Sequence, residues 1–181
     1  MDVFECIKRR RSVRNFKKLP VKYEDLTKIL NAAILAPSAG NIQPWEFIIV
    51  TKQELKEELA EAALGQYWMV DAGVIIVVCA REKDSSARYG LRGRTLYCIQ
   101  DTAAAIENML LAVTALGYGA CWVGAFDEEA VRKILKIPSG VRPIALIPIG
   151  VPNEVPEPRW RMELHEVIHF EFYGGSKEQV L

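Results

Sequence analysis

Two arginine clusters stand near opposite ends of a 181-residue chain: Arg9-Arg10-Arg11-Ser12-Val13-Arg14 and Arg159-Trp160-Arg161. Guanidinium groups grip phosphate oxygens through a two-pronged fork, and a hydroxyl adds another donor, so Arg10, Arg11, Ser12 and Arg14 suit a phosphate monoester. Each charge-assisted contact contributes about 1.5–3 kcal/mol. The same residues also fit a localisation or nucleic-acid patch, or a plain solvated face. A third feature is Ala36-Pro37-Ser38-Ala39-Gly40-Asn41-Ile42-Gln43-Pro44-Trp45. Ser38, Asn41 and Gln43 offer donors and acceptors at fixed geometry, which suits the edge of a planar heterocycle carrying imides and ring nitrogens. The plain alternative is a helix-to-strand connection, since Pro, Ser, Gly and Asn are turn-formers.

Other motifs point to chemistry the chain does not support. His165-Glu166-Val167-Ile168-His169 spells a zinc-protease pattern. That chemistry needs both imidazoles on one helical face and a third protein ligand. Here the segment follows a proline-rich stretch and precedes strand-like Phe170-Glu171-Phe172-Tyr173, and the chain has only two histidines. Gly117-Tyr118-Gly119 with Gly124 hints at a dinucleotide fingerprint, but it leads from helix into strand rather than strand into helix. No G-x-x-x-x-G-K-[ST] phosphate loop occurs. Two arginine clusters, an amide-rich loop and no nucleotide-fold motif together suggest FMN.

The elements that must position these residues follow from periodicity. Apolar spacing predicts helices over residues 3–11, 23–36, 52–64 and 95–116. The last of these is apolar around much of its circumference, which predicts a central or interface position. Asp127 predicts a cap for a helix over 128–135. Strands are expected at 47–50, 74–79, 120–123 and 144–149, with a final one at 167–172; the β-branched run at 74–79 suits burial on both faces. Residues 84–93 are polar, contain Gly90 and Gly93, and predict a mobile loop. Pro152, Pro156 and Pro158 predict an extended arm over 151–161 that lies across another surface, such as a partner subunit. Helices alternating with strands predict an α+β fold with a mixed central sheet flanked by helices, in a single domain over 1–181.

Composition bounds the function. With 23 basic and 23 acidic residues, the formal net charge is zero, which does not favour a general nucleic-acid or membrane-surface role. No signal peptide is visible and no run approaches the ~20 apolar residues of a membrane span, so a cytoplasmic protein is expected. Cys6, Cys79, Cys98 and Cys121 are scattered in apolar surroundings and predict buried, reduced thiols.

Taken together, the motifs match a known family. The chain resembles the FMN-dependent nitroreductases along nearly its whole length. The opening R-R-S-x-R-x-F stands at Arg10 to Phe16, P-S-x-x-N-x-Q-P-W at Pro37 to Trp45, and D-x-x-x-A-x-x-N-x-x-L-A at Asp101 to Ala112. G-x-G-x-x-W begins at Gly117, with an aromatic-acidic pair at Phe126-Asp127, and the proline-rich closing arm runs from Pro156 to Gly174. Each motif is moderately specific, and their order and spacing together are strongly so.

The resemblance implies an α-β-α sandwich, with the C-terminal arm exchanged in an obligate homodimer and two FMN sites at the subunit interface. It implies that Arg10, Arg11, Ser12 and Arg14 hold the phosphate and the pyrimidine edge of the flavin, with Arg159 and Arg161 adding phosphate contacts. Pro37, Ser38, Asn41 and Gln43 would come from the other subunit. Gly124 and Ala125 would line the flavin near N5 through their backbone. Where many relatives carry an Asn and a Lys, this chain has Gly65-Gln66-Tyr67-Trp68, which makes Gln66 a candidate flavin-edge contact. NAD(P)H would reduce the flavin, and a nitroaromatic, quinone or related small acceptor would reoxidise it in the same site. No side-chain acid or base is then required, and Arg14 would stabilise the anionic reduced ring. Two alternatives stand beside this reading. One is a specialised member that cleaves flavin, dehalogenates or oxidises heterocycles; the other is a flavin-binding protein without turnover.

Overall fold

The computed structural model describes residues 1–176. Five strands form the sheet: β1 (Phe16–Lys17), β2 (Trp45–Val50), β3 (Val74–Arg81), β4 (Gly119–Ala120) and β5 (Val141–Pro152). Their order is β1-β5-β3-β2, and β4 pairs with β5 beside that path. All ladders between named strands are antiparallel, and a parallel bridge from Ser12 to Ala120 makes the sheet mixed. Six α-helices accompany it among the described residues: α1 (Val3–Arg9), α2 (Tyr23–Ile34), α3 (Gln53–Ala62), α4 (Glu82–Arg92), α5 (Cys98–Ala115) and α6 (Glu128–Leu135).

β3 shows why the layers form. Every residue from Val74 to Ala80 is buried, and successive side chains of a strand point to opposite faces. Val74, Ile76 and Val78 pack with α2 and α5 residues such as Ile29, Ile106 and Met109. Ile75, Val77 and Cys79 pack on the other side with Leu59 of α3 and Val131 of α6. One sheet is thus covered by helices on both faces, as an α-β-α sandwich requires. Where β5 carries Pro143, which has no N–H for the ladder, the β3–β5 register shifts between Val78 and Cys79.

Two predicted elements are different in the structure. Residues 84–93 are helical rather than a loop: α4 runs from Glu82 to Arg92 and passes through a π-type turn, Gly93–Tyr97, into α5. Its polar composition is that of an exposed face, because Glu, Lys, Ala and Arg form helices well even without an apolar stripe. The helix breaks only at Gly90, whose φ of 55° and ψ of −141° suit glycine. The expected strand at 167–172 is a turn. Phe170 donates its N–H to Gly175 O at 3.0 Å, Gly175 donates to Phe172 O at 2.9 Å, and Glu171 takes a positive φ. The adjacent Gly174 and Gly175 permit that reversal.

The Gly117 stop also has a local cause. Tyr118 N–H donates to Val113 O at 3.0 Å and Gly117 N–H to Thr114 O, with Gly117 at φ 80°. These bonds close the end of α5 in the manner of a glycine C-cap, a helix stop unrelated to phosphate binding.

Candidate functional site

The N-terminal cluster is set by a helix end. Asp2 caps α1 by accepting from Glu5 N–H at 2.9 Å, and Lys8 and Arg9 in the last turn complement the helix dipole. The chain then turns extended at Arg10. Val13 N–H donates to Ala120 O at 2.9 Å, and the Val13 side chain is buried against Gly119. With Val13 pointing inward, strand alternation turns Ser12 and Arg14 outward.

The arm from Asn153 returns to this segment. Asn153 N–H donates to Asn15 O at 3.0 Å. Between arm and helix lies a cavity of about 890 Å³ lined by Arg10, Arg11, Ser12, Arg14, Arg159 and Arg161, among others. Lys8 adds a sixth basic side chain to the wall, against two acids, Glu154 and Glu157. The two clusters, far apart in sequence, therefore form one strongly basic site. Arg11 spends donors on Lys8 O and Arg10 O, and Arg161 on Trp160 O. Among the described residues, Arg10, Arg14 and Arg159 have no carboxylate partner. Their donor chemistry fits a phosphate monoester, and the cavity has room for one with an attached tricyclic ring.

Arg14 leads from the cavity to an aromatic wall. Its guanidinium lies 5.8 Å from the centre of the Trp68 ring, and Trp68 stacks on Phe16 at 6.4 Å. Trp68 belongs to a short 3-10 turn, Tyr67–Asp71, tied down by buried Lys56. The Lys56 ammonium donates to Val70 O at 2.8 Å and Ala72 O at 2.9 Å. Gln66 donates its amide to Ala125 O at 3.1 Å, so it holds the exposed Gly124-Ala125 backbone rather than projecting freely. Burial pushes the Cys121 thiol up, while Arg14, Ser12 and Arg10 pull the other way.

The amide loop lies elsewhere in the subunit and contributes nothing to the wall of the cavity. Gly40, Asn41 and Gln43 all adopt φ between 54° and 57°. Such a run of left-handed residues is uncommon and persists only when its surroundings fix it. Three links do so. Gln43 N–H donates to Ser38 Oγ at 3.0 Å, Arg81 donates to Gln43 O at 3.1 Å, and Ala39 N–H donates to Asp101 Oδ1 at 2.9 Å. Pro37, Asn41 and Gln43 remain exposed at the rim.

Asp101 is 6% exposed, and its second oxygen, Oδ2, has no partner. Burial pushes its carboxyl above the usual range, and the Ala39 N–H pulls it partly back. In the sequence Asp101 is only the first letter of a helix pattern. Its role as anchor depends on a contact across 62 residues that no local signal announces.

The zinc-like motif is not on an α-helix. His165 lies in a short 3-10 turn, Leu164–Glu166, and both histidines are exposed. His169 packs against Tyr173 at 4.3 Å. No cluster of three potential metal ligands occurs among the described residues.

The Nitroreductase family model matches residues 7–68 and 63–151, a span that holds the N-terminal arginine cluster, the amide loop and all of the sheet except the last residue of β5. The chain belongs to the nitroreductase family. It is 39% identical over 157 residues to an Archaeoglobus fulgidus protein provisionally named an NADH dehydrogenase/NAD(P)H nitroreductase, covering 83% of this chain and 87% of that one. It is 33% identical over 195 residues to a Thermus thermophilus protein named NADH dehydrogenase, covering 93% and 95%. Among solved structures, a nitroreductase family protein from Clostridium difficile superposes with a TM-score of 0.84 at 30% identity, covering 95% of this chain and 99% of that one. The matched residues stop before Arg159 and Arg161, which this nitroreductase brings to the cavity by geometry alone.

Proposed function

We propose that this nitroreductase is an FMN-dependent NAD(P)H oxidoreductase acting on nitroaromatic, quinone or related small acceptors. The observation that carries the reading is the convergence of both arginine clusters on one cavity. The named relatives support a nicotinamide donor. FMN, when bound, supplies the redox centre that accepts a hydride and passes electrons on. The chain supplies what surrounds it. Arg10, Ser12, Arg159 and Arg161 hold the phosphate, and Arg11 braces the clamp. Arg14, backed by Trp68, places a fixed positive charge beside the ring edge where negative charge gathers on reduction. Gly124 and Ala125 offer backbone groups near the reactive nitrogen.

The strained amide loop is exposed and away from its own subunit's cavity. We therefore assign Pro37, Ser38, Asn41 and Gln43 to the cavity of a second copy in a homodimer, with the C-terminal arm exchanged between subunits beyond Arg161, so that Arg159 and Arg161 stay at their own subunit's cavity. Exposed Trp160, Leu164, Phe172 and Tyr173 along the arm and its end support this, since monomers rarely leave so much apolar surface uncovered. Residues 1–181 are read as one domain, because the two main hydrophobic clusters share a single sheet. Four buried unpaired thiols and a nicotinamide donor support a cytoplasmic setting.

The test is a visible absorbance spectrum of the purified protein before and after anaerobic NADH or NADPH. Flavin bands that bleach support the reductase. Bands that persist support a specialised donor or a non-catalytic role, and no flavin even after added FMN overturns the reading.

A further inference from the structure

A second cationic group lies outside the cavity, on α4 and the turn that follows it. Arg88 sits 5.4 Å from the centre of the Tyr89 ring, and Arg92 sits 5.4 Å from that of Tyr97. The two tyrosines meet edge to face at 5.2 Å, so the four side chains form one cluster. The other arginines nearby are neutralised: Arg81 by Asp84 and Glu46, Arg94 by Glu82. Among the described residues Arg88 and Arg92 have no carboxylate partner. Arg88 uses one donor on Gly40 O at 3.1 Å, and Arg92 uses one on the Tyr97 hydroxyl at 3.0 Å. A guanidinium has five N–H donors, so each keeps several for a ligand.

The cluster is seated on the amide loop. A Cβ at Gly40 would meet the Tyr89 hydroxyl at 2.5 Å and Arg88 Nη1 at 2.6 Å, so a larger residue would push these side-chain ends off the loop. Arg92 joins the first pair through Tyr97, whose ring it covers and whose edge meets Tyr89. Two uncompensated cations backed by two aromatic rings suit a planar ring that carries an anionic group: the rings take its face and the guanidiniums its charge.

We propose that Arg88, Tyr89, Arg92 and Tyr97 form an acceptor subsite selecting aromatic substrates that bear a carboxylate or similar anion. This rests on the flavin reading, because the amide loop must border the flavin for the cluster to border the acceptor. An anionic acceptor entering the site would meet two positive charges, whereas its neutral isostere would gain only the ring contacts.

The experiment compares 4-nitrobenzoate with 4-nitrobenzamide, which share ring and nitro group and differ in charge. Both are assayed with NADH on flavin-loaded enzyme, so effects of the donor cancel in the ratio of kcat/KM. The acid is expected to be favoured about tenfold, equivalent to about 1.4 kcal/mol. Added salt is expected to shrink that ratio through screening. Arg92→Gln should bring it toward one and Arg92→Lys should keep most of it. With flavin bound, a wild-type ratio near one, a ratio insensitive to salt, or one unchanged in Arg92→Gln overturns the subsite alone. If Arg92→Gln does not fold, the salt series decides. Absence of bound flavin overturns the underlying function and the subsite together.

Discussion

Arg159 reaches the cavity from a part of the arm without regular secondary structure, whereas Arg10 is fixed at the end of α1. Either should matter to a phosphate held between them. Arg10→Ala and Arg159→Ala are each expected to weaken FMN retention by roughly ten- to a hundredfold, as loss of one charge-assisted bond of about 1.5–3 kcal/mol implies. Circular dichroism and thermal unfolding of the FMN-free proteins should be unchanged, because neither side chain is part of a buried cluster. Unaltered flavin occupancy in both variants would sink the clamp. Asp101 makes a prediction about pH. Burial raises its folded carboxyl above the ordinary value of 3.8, so between the two values the folded state holds a proton that the unfolded state has released. Stability from this group is greatest below that ordinary value and is lost as pH rises through the raised one. Asn at 101 does not titrate. The stability of wild type relative to Asp101→Asn should therefore fall as pH rises from acidic toward neutral. Denaturant midpoints at two pH values check this, and a wild type that gains stability relative to Asp101→Asn as pH rises would mean the site favours the carboxylate.

Gly119 in β4 lets the segment that carries Ser12 and Arg14 lie close on the sheet. A Cβ there would approach the Val13 Cβ to 2.8 Å, and Val13 sits between Ser12 and Arg14. Gly119→Ala is expected to cost about 1–3 kcal/mol through overpacking, read from chemical denaturation. It should also loosen FMN, because relief of the clash moves the strand that carries Ser12 and Arg14. Normal stability with normal flavin affinity would contradict that coupling. The other elements show what the sequence can and cannot reveal. Helices α2, α3 and α5 and strand β3 were legible because periodicity and burial agree. Helix α4 was not, since it has no apolar stripe and is held by contacts such as Arg81–Asp84 and the packing of Gly93 on Ser85. Two-residue β1 is too short for any pattern, and its place comes from pairing with residues 151–152 of β5. Within the site, the arginine types were legible from the residues, but their meeting only from the family resemblance. The Asp101–Ala39 and Arg88–Gly40 links join distant segments, and only the fold brings them together.

At the scale of the whole molecule, apolar surface stands out. Phe4 and Ile7 on α1, Leu35 after α2, and Leu164, Val167 and Phe172 beyond the arm are all more than half exposed. A protein with zero formal net charge has no strong self-repulsion to keep such surfaces apart. The proposed exchange of arms would cover them and would bring each amide loop to the cavity of its neighbour. Light scattering is then expected to give twice the chain mass at micromolar concentration. The double change Leu164→Glu and Val167→Glu leaves every proposed flavin contact in place. It removes two apolar anchors, each worth about 1.5–3 kcal/mol when buried. That loss should weaken dimerisation by a hundredfold or more, at about tenfold per 1.4 kcal/mol. If the site is shared, monomer and free flavin must appear together as the protein is diluted, with the same midpoint by scattering and by flavin fluorescence. A monomer that keeps its flavin would show that one subunit's arginine cavity suffices and that the amide loop serves something else.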